Sequence, residues 1–285
     1  MERIVLPGLI CGMAQIPITA GRRFFGDDPD AYAAARPDYP EALYQRLVER
    51  CGLRPGAAVF EIGPGTGIAT RRLLALGASP LVAIEPDDRL AAHLRATSAD
   101  LRLRIDETSF EETILAPEAF DLGFAATSFH WLEQASALAK VHAALKPGGW
   151  WAMAWHNFGA GPDKDPFQEA TDHLFVETPE SPSHGKAGRP PFSLDEEARL
   201  GDLAAAGFEG GEVEIWRWTA IYETARVAAL YRTFSPIQAL APERREALLA
   251  DLARIADEQF GGRVERPFTS VLYTARRPAD DRSPG

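Results

Sequence analysis

The chain has 285 residues, 46% hydrophobic and 25% charged, the usage of an ordinary globular protein with room for one large domain. Thirty basic against forty-one acidic side chains give a net charge of −11, the wrong sign for a nucleic-acid partner unless a local basic patch exists, and the isolated pairs Arg22-Arg23, Arg71-Arg72, Arg244-Arg245 and Arg276-Arg277 are too short to make one. Two cysteines, Cys11 and Cys51, exclude a disulfide-stapled secreted scaffold and predict a reducing cytoplasm, while the apolar stretch Ile4 to Ile18, broken by Pro7 and Pro17, is too short to span a bilayer.

Residues 1–30 read as a loose tail. From Pro40 onward short apolar runs alternate with helical periodicity. A helix over Glu41 to Cys51, with Leu43, Leu47 and Val48 on one face, precedes a strand over Ala57 to Ile62. A glycine loop then opens a helix over Thr66 to Leu76. Strand Leu81 to Ile84, helix Asp87 to Thr97, and strands Leu101 to Ile105 and Phe120 to Ala126 follow. Helix Glu133 to Leu145 turns through Lys146-Pro147-Gly148-Gly149 into strand Trp150 to Trp155. Residues 158–193, rich in Pro, Gly, Ser and charge, read as a lid loop. Beyond them come helix Leu194 to Ala206, strand Glu212 to Ile221, helices Glu223 to Phe234 and Pro242 to Phe260, and a last strand, Arg263 to Ala275. Residues 278–285 are a polar tail. Buried strands alternating with helices predict an α/β fold on a parallel, doubly wound sheet.

The central signal is Val59-Phe60-Glu61-Ile62-Gly63-Pro64-Gly65-Thr66-Gly67, a strand running into glycines spaced two apart and then into a helix. Glycine there permits positive φ and lets the backbone approach a ligand that a Cβ would exclude. A dinucleotide fingerprint needs glycine three residues after Gly65; Ile68 stands there. A pyrophosphate also favours bare N–H groups at a helix end, whereas S-adenosylmethionine (SAM) carries an ammonium and a sulfonium that favour a carboxylate such as Glu61. Glu85 ends the next strand in Ile84-Glu85-Pro86, where its two oxygens can accept from a ribose diol. The plainer alternative is a glycine turn of another α/β protein, with Glu85 as a helix-start acid.

With these motifs in hand, the chain resembles the class I SAM-dependent methyltransferases, in the small-molecule branch that includes trans-aconitate methyltransferase-like proteins. The similar segments span most of residues 31–277: Tyr32-Ala-Ala-Ala-Arg36-Pro37-Asp-Tyr39-Pro40, the glycine loop, Ile84-Glu85-Pro86, Phe120-Asp121-Leu122, Phe129-His130-Trp131 and Lys146-Pro147-Gly148-Gly149. The resemblance implies a Rossmann-like doubly wound seven-stranded sheet with one antiparallel strand near its edge, capped by helices over 223–260. It implies that Glu61, Gly63, Gly65 and Gly67 line the methionine and ribose side and that Glu85 takes the ribose hydroxyls. Ser109 and Phe110 fall where relatives read the adenine, with Asp106 and Glu107 as upstream substitutes. Ala126 borders the cofactor through its backbone.

Methyl transfer to an activated sulfonium needs positioning first, and a base only when the nucleophile must lose a proton. His130, after the fourth strand, is the candidate general base or substrate-positioning group; a helix-start cap is the competing reading. His156 ends the fifth strand. Tyr32, Arg36 and Tyr39 read as a flap, with Arg36 available to a cofactor or substrate carboxylate, or simply a surface arginine. Tyr231 and Phe234 line either an acceptor pocket or the apolar face of a cap helix. No histidine falls at a metal-ligand spacing. The reading is a SAM-dependent methyltransferase acting on a small-molecule acceptor, with oxygen of a carboxylate or hydroxyl first. Its rivals are a SAM-binding regulator that transfers nothing and an NAD(P)-dependent oxidoreductase. Oligomeric state is left open.

Overall fold

A computed structural model of the chain describes residues 15–158, 164–184 and 189–279; the expectations for residues 1–14, for the lid at 159–163 and 185–188, and for the tail at 280–285 lie outside them. Three helices, α1 (Ile18–Gly21), α2 (Pro29–Ala35) and α3 (Glu41–Glu49), precede the sheet. Then β1 (Val59–Ile62), α4 (Ile68–Ala75), β2 (Leu81–Ile84), α5 (Asp88–Thr97), β3 (Leu103–Asp106), β4 (Phe120–Ala126), α6 (Gln134–Ala144) and β5 (Leu145–Phe158) alternate. The remainder comprises α7 (Pro166–Thr171), α8 (Glu196–Ala205), β6 (Glu209–Glu223), α9 (Thr224–Arg232), α10 (Ser235–Gln238), α11 (Pro242–Phe260) and β7 (Arg263–Arg276).

The seven strands form one sheet in the order β3-β2-β1-β4-β5-β7-β6. The pairs from β3 to β5 are parallel, and β7 runs antiparallel to both β5 and β6. It is therefore the single reversed strand, one place in from the edge, as the sequence predicts. Because successive side chains alternate across a strand, each strand feeds two cores. Phe60, Ile62, Trp151, Met153, Trp155 and Tyr273 pack on one face with Leu138 and Val141 of α6 and Leu203 of α8. Val59, Leu122, Phe124, Ala152 and Ala154 pack on the other with Leu43 and Leu47 of α3 and Leu73 of α4. In α3 the buried face uses Tyr44 in place of the expected Val48, which is exposed.

A third core forms the cap. Val227, Leu230 and Tyr231 of α9, Ile237 of α10, and Leu248, Leu252 and Ile255 of α11 pack on Tyr222, Val264 and Phe268 at the far ends of β6 and β7. Phe167 of α7 and Leu174 join them, so much of the segment expected as loop has its own helix and its own buried residues. Beneath it Arg266 Nη1 donates to both oxygens of Asp165, at 2.7 and 2.6 Å, and both side chains are almost fully buried. The same Asp165 oxygen accepts from Gln168 N–H while Gln168 Oε1 accepts from Asp165 N–H, a reciprocal cap that starts α7. Among the described residues no helix is long and apolar enough to cross a membrane.

Residues 15–30 are packed in place, contrary to the reading of a loose tail. Ile16 is buried, Gln15 bridges Glu180, and Arg22 holds Glu111 through two hydrogen bonds. The Cα of Gly21 lies so close to the Trp131 indole that a Cβ would meet its ring atoms at 2.4 Å.

Candidate functional site

In the strand order, β1 lies between β2 on one side and β4 on the other, so chain connections leave β1 in opposite directions. Open α/β sheets bind ligands at such a switch point, outside the carboxyl ends of the strands. A cleft of about 420 Å³ opens there, within the size range of small-molecule sites.

One half of the cleft is built by the glycine loop. Gly63, Gly65 and Gly67 all have positive φ, +65°, +58° and +82°, but they do different things. A Cβ on Gly63 would come within 2.7 Å of Ser128 Cβ, so β1 and the end of β4 meet only because that residue is glycine. A Cβ on Gly65 would meet nothing within 4 Å; this backbone faces open space and is free to receive a ligand. A Cβ on Gly67 would strike Leu94 at 2.4 Å. Gly67 is absent from the cleft lining and serves the packing of α4 on α5, a correction to its expected ligand contact.

The two expected acids face this loop. Glu61 is 1% exposed; its Oε2 accepts from Thr70 Oγ1 at 2.6 Å, while its Oε1 is buried with no partner. Burial pushes its carboxyl up to about 7, with Glu85 adding to the rise against the Thr70 hydrogen bond. Glu85 is 3% exposed and accepts Gly65 N–H on Oε2 and Asp87 N–H on Oε1, both at 3.0 Å. Burial raises it as well, to about 7. Two buried carboxylates held this far above their ordinary range are under-compensated, and a cation beside them would draw both back down. The residues therefore fit SAM: an orphan carboxylate oxygen, an open glycine backbone, and a second carboxylate fixed by two backbone donors.

The other half is aromatic and carries donors. The Arg36 guanidinium lies about 5 Å from the ring centroids of Tyr32, Phe158 and Phe234, at 5.2, 5.0 and 5.2 Å. Its Nη2 donates to the Thr233 carbonyl at 3.0 Å, and its Nε is buried without a partner. Among the described residues no carboxylate pairs with it. His130 is 7% exposed, and its Nδ1 accepts from Trp155 Nε1 at 3.1 Å. Burial, then the Arg36 charge, push its pKa down to about 3. His156 is depressed to about 3 for the same reasons; its Nδ1 meets Ser270 Oγ at 2.9 Å, and Tyr39 stacks on it with centroids 4.1 Å apart. Both rings are neutral at physiological pH. His184 lines the cleft from its exposed mouth.

Of the expected residues, Glu61, Gly63, Gly65, Glu85, Phe110, Ala126, Tyr32, Arg36 and His130 all line one cleft. Ser109 does not: its hydroxyl donates to Glu112 and its carbonyl accepts from Thr113, so it opens a turn beside the site. Asp106 is paired with Arg104 and Glu107 with Arg95, and neither reaches in. Tyr231 is buried in the cap core against Phe167, Phe175 and Phe234; of that helix and its sequel, Phe234 reaches the cleft. Sequence reading missed Arg22, Phe25 and Trp131, which also line the cleft. It also missed Thr127, a β-branched residue at φ +55°, whose N–H donates to Ala154 at 2.7 Å and whose hydroxyl meets Tyr39. Such strain concentrates at functional sites, but a left-handed threonine leaves no mark in a sequence.

Residues 60–153 match a family model described as a methyltransferase domain, the span from β1 through β5 that carries the glycine loop and both acids. An uncharacterised methyltransferase of Schizosaccharomyces pombe is 25% identical over 261 residues, 90% of this chain and 98% of the relative. An uncharacterised methyltransferase of Mycobacterium tuberculosis is 30% identical over 132 residues, 46% of this chain and 51% of the relative, so the match spans about half that relative's length. Among solved structures, phosphoethanolamine N-methyltransferase 2 of Haemonchus contortus, in complex with phosphomonomethylethanolamine and S-adenosylhomocysteine (SAH), superposes with a TM-score of 0.53 at 14% identity. The alignment covers 92% of this chain and 57% of that one, a likeness of fold. Residues 60–153 thus form a methyltransferase domain, and the chain as a whole is similar to methyltransferases on the same Rossmann-like sheet.

Proposed function

We propose that the protein methylates an oxygen of a small-molecule acceptor, a carboxylate or hydroxyl, in the cytoplasm. The observation that carries this reading is Arg36, a guanidinium in the aromatic half of the cleft with no carboxylate among the described residues to neutralise it. An unpaired, partly buried cation favours a negatively charged or lone-pair-rich guest. The net charge of −11 argues against a polyanionic one, and the walls supplied by Phe158, Ser193 and Phe234 suit a small one.

SAM supplies a methyl group already activated on a sulfonium. What this chain contributes is placement. Glu61 and Glu85 hold the positive, hydroxyl-bearing part of the cofactor, and Gly63 and Gly65 leave it room. Arg36 and His130 orient the acceptor on the opposite wall. Phe25, Trp131 and Phe158 keep water away, and such orientation and desolvation account for much of the rate in a displacement of this kind.

The experiment is incubation of the protein with methyl-labelled SAM and a panel of small organic acids, their alcohols and their amines, alongside RNA and protein fractions of a cell extract. Label in an ester or ether is the expected result. Label confined to RNA or protein, or to amines, would refute the acceptor class. Arg36→Met is expected to raise the acceptor KM at least tenfold while leaving SAM affinity within about twofold; a fall in SAM affinity alone would move Arg36 to the cofactor.

A further inference from the structure

His130 is the imidazole that the sequence offers as a base, and the structure gives its ring a partner that restricts what it can do. An indole N–H is a donor and nothing else, and a neutral imidazole carries one proton on one of its two nitrogens. Trp155 Nε1 donates to His130 Nδ1 at 3.1 Å. Trp155 is 2% exposed, enclosed by Phe192 and Tyr273, so its N–H has no water to turn to. A proton on Nδ1 would set two donors against each other in a dry interior, a costly arrangement.

We infer that Trp155 is a positioning residue that locks His130 as the Nε2–H tautomer, so that His130 offers the methyl acceptor a hydrogen-bond donor and has no lone pair left to act as a base. The only side-chain hydrogen bond of His130 among the described residues is the one at Nδ1, and the ring lines the cleft, which leaves Nε2 for the guest. Burial and the charge of Arg36, the charged group that bears on the ring, keep it neutral. Arg36 likewise only donates. The wall facing the acceptor thus presents two donors, Arg36 and His130, and selects a group with lone pairs and no proton of its own.

This deepens the oxygen-acceptor reading and rests on it, choosing carboxylate over hydroxyl. The step then balances without a base. A carboxylate oxygen lone pair forms the new O–C bond, the C–S bond breaks with its electron pair left on sulfur, and the products are a neutral ester and a neutral thioether. A hydroxyl acceptor would have a proton to shed, and His130 could not receive it.

The test is long-range 1H–15N correlation of the histidine rings in uniformly 15N-labelled protein, free and with SAH bound, with His130 assigned by the signals that vanish in His130→Gln. The expected result is an Nε2–H pattern unchanged from pH 5.5 to 8.5 in both states. A proton on Nδ1, or a midpoint inside that range, overturns the inference whether or not SAH binds. SAH failing to bind would instead count against the methyltransferase reading. Trp155→Phe should convert the His130 signals to a mixture of tautomers or bring a titration into the window. Should that variant not fold, acetate added to the wild-type SAH complex serves as the second arm. It should move the His130 Nε2–H proton downfield, and ethanol at equal concentration should not; equal responses, or none to acetate, overturn the donor role.

Discussion

Replacing Glu85 by alanine tests the cofactor half of the cleft most sharply. Glu85 sits at the end of β2 with each oxygen already accepting one backbone N–H, from Gly65 and from Asp87. Each carboxylate oxygen has a second lone pair, and those two are what remain for the ribose hydroxyls. Hydrogen bonds to a charged group contribute about 1.5–3 kcal/mol each when the alternative is an unsatisfied buried partner. Water entering the space left by the side chain recovers part of that. The expected net loss is about 1–3 kcal/mol, or roughly 5- to 150-fold in Kd. The assay is calorimetric titration with SAH at pH 8, above the value of about 7 to which burial lifts Glu85, so that the wild-type carboxylate is ionised. Thermal melts of the same samples separate a binding loss from unfolding, because Gly65 and Asp87 also lose an acceptor. Wild-type affinity in a folded Glu85→Ala protein would refute the assignment.

Cofactor affinity should weaken as pH falls through about 7, since Glu61 and Glu85 are both raised to about 7 and must be ionised to hold a cation; each pH unit below that costs up to about 1.4 kcal/mol per carboxylate. A flat affinity between pH 5.5 and 8.5 would contradict it. Glu61→Gln should stabilise the unliganded protein at pH 8 by about 1–3 kcal/mol. Burial raises the folded-state pKa from 4.5 to about 7, so the wild type loses stability as pH rises between those values, and the difference should shrink by more than half at pH 5.5 and vanish below about pH 4.5; melts at pH 8 and pH 5.5 check the sign. Gly63→Ala should cost both stability and SAH binding, because its Cβ would meet Ser128 at 2.7 Å from a left-handed backbone; wild-type melting would show that the loop yields. Asp165→Ala strands the buried Arg266 charge and should destabilise by about 3–5 kcal/mol, read as a lowered denaturant midpoint, with cap tryptophan Trp218 as the local probe.

The sheet was legible because its signals are local. Four-residue apolar strands such as Leu81–Ile84, bounded by turn residues, declare themselves, and β2, β4 and α11 fall at the expected bounds. The glycine loop was legible for the same reason, with one acid, Glu61, near the carboxyl end of β1 and the other, Glu85, just past the end of the adjacent parallel strand β2. Features that depend on neighbours distant in sequence were not. Residues 15–30 hold only helical turns too short to show periodicity, and what fixes them is Glu111, Trp131 and Glu180. Gly67 and Gly65 look identical in the motif, yet Leu94 decides that one packs a helix while the other faces the cleft. Tyr231 and Phe234 lie three apart, and only the cap core decides that Tyr231 turns inward. The proton on His130 depends on an indole 25 positions away.

The account stands on two buried carboxylates addressing one charged nucleoside across a glycine turn. A crystal structure of the protein grown with SAH reads this directly. The ribose hydroxyls should lie within hydrogen-bond distance of Glu85, and the amino group beside the open oxygen of Glu61. A nucleoside seated elsewhere, or one in this cleft that touches neither side chain, would contradict it.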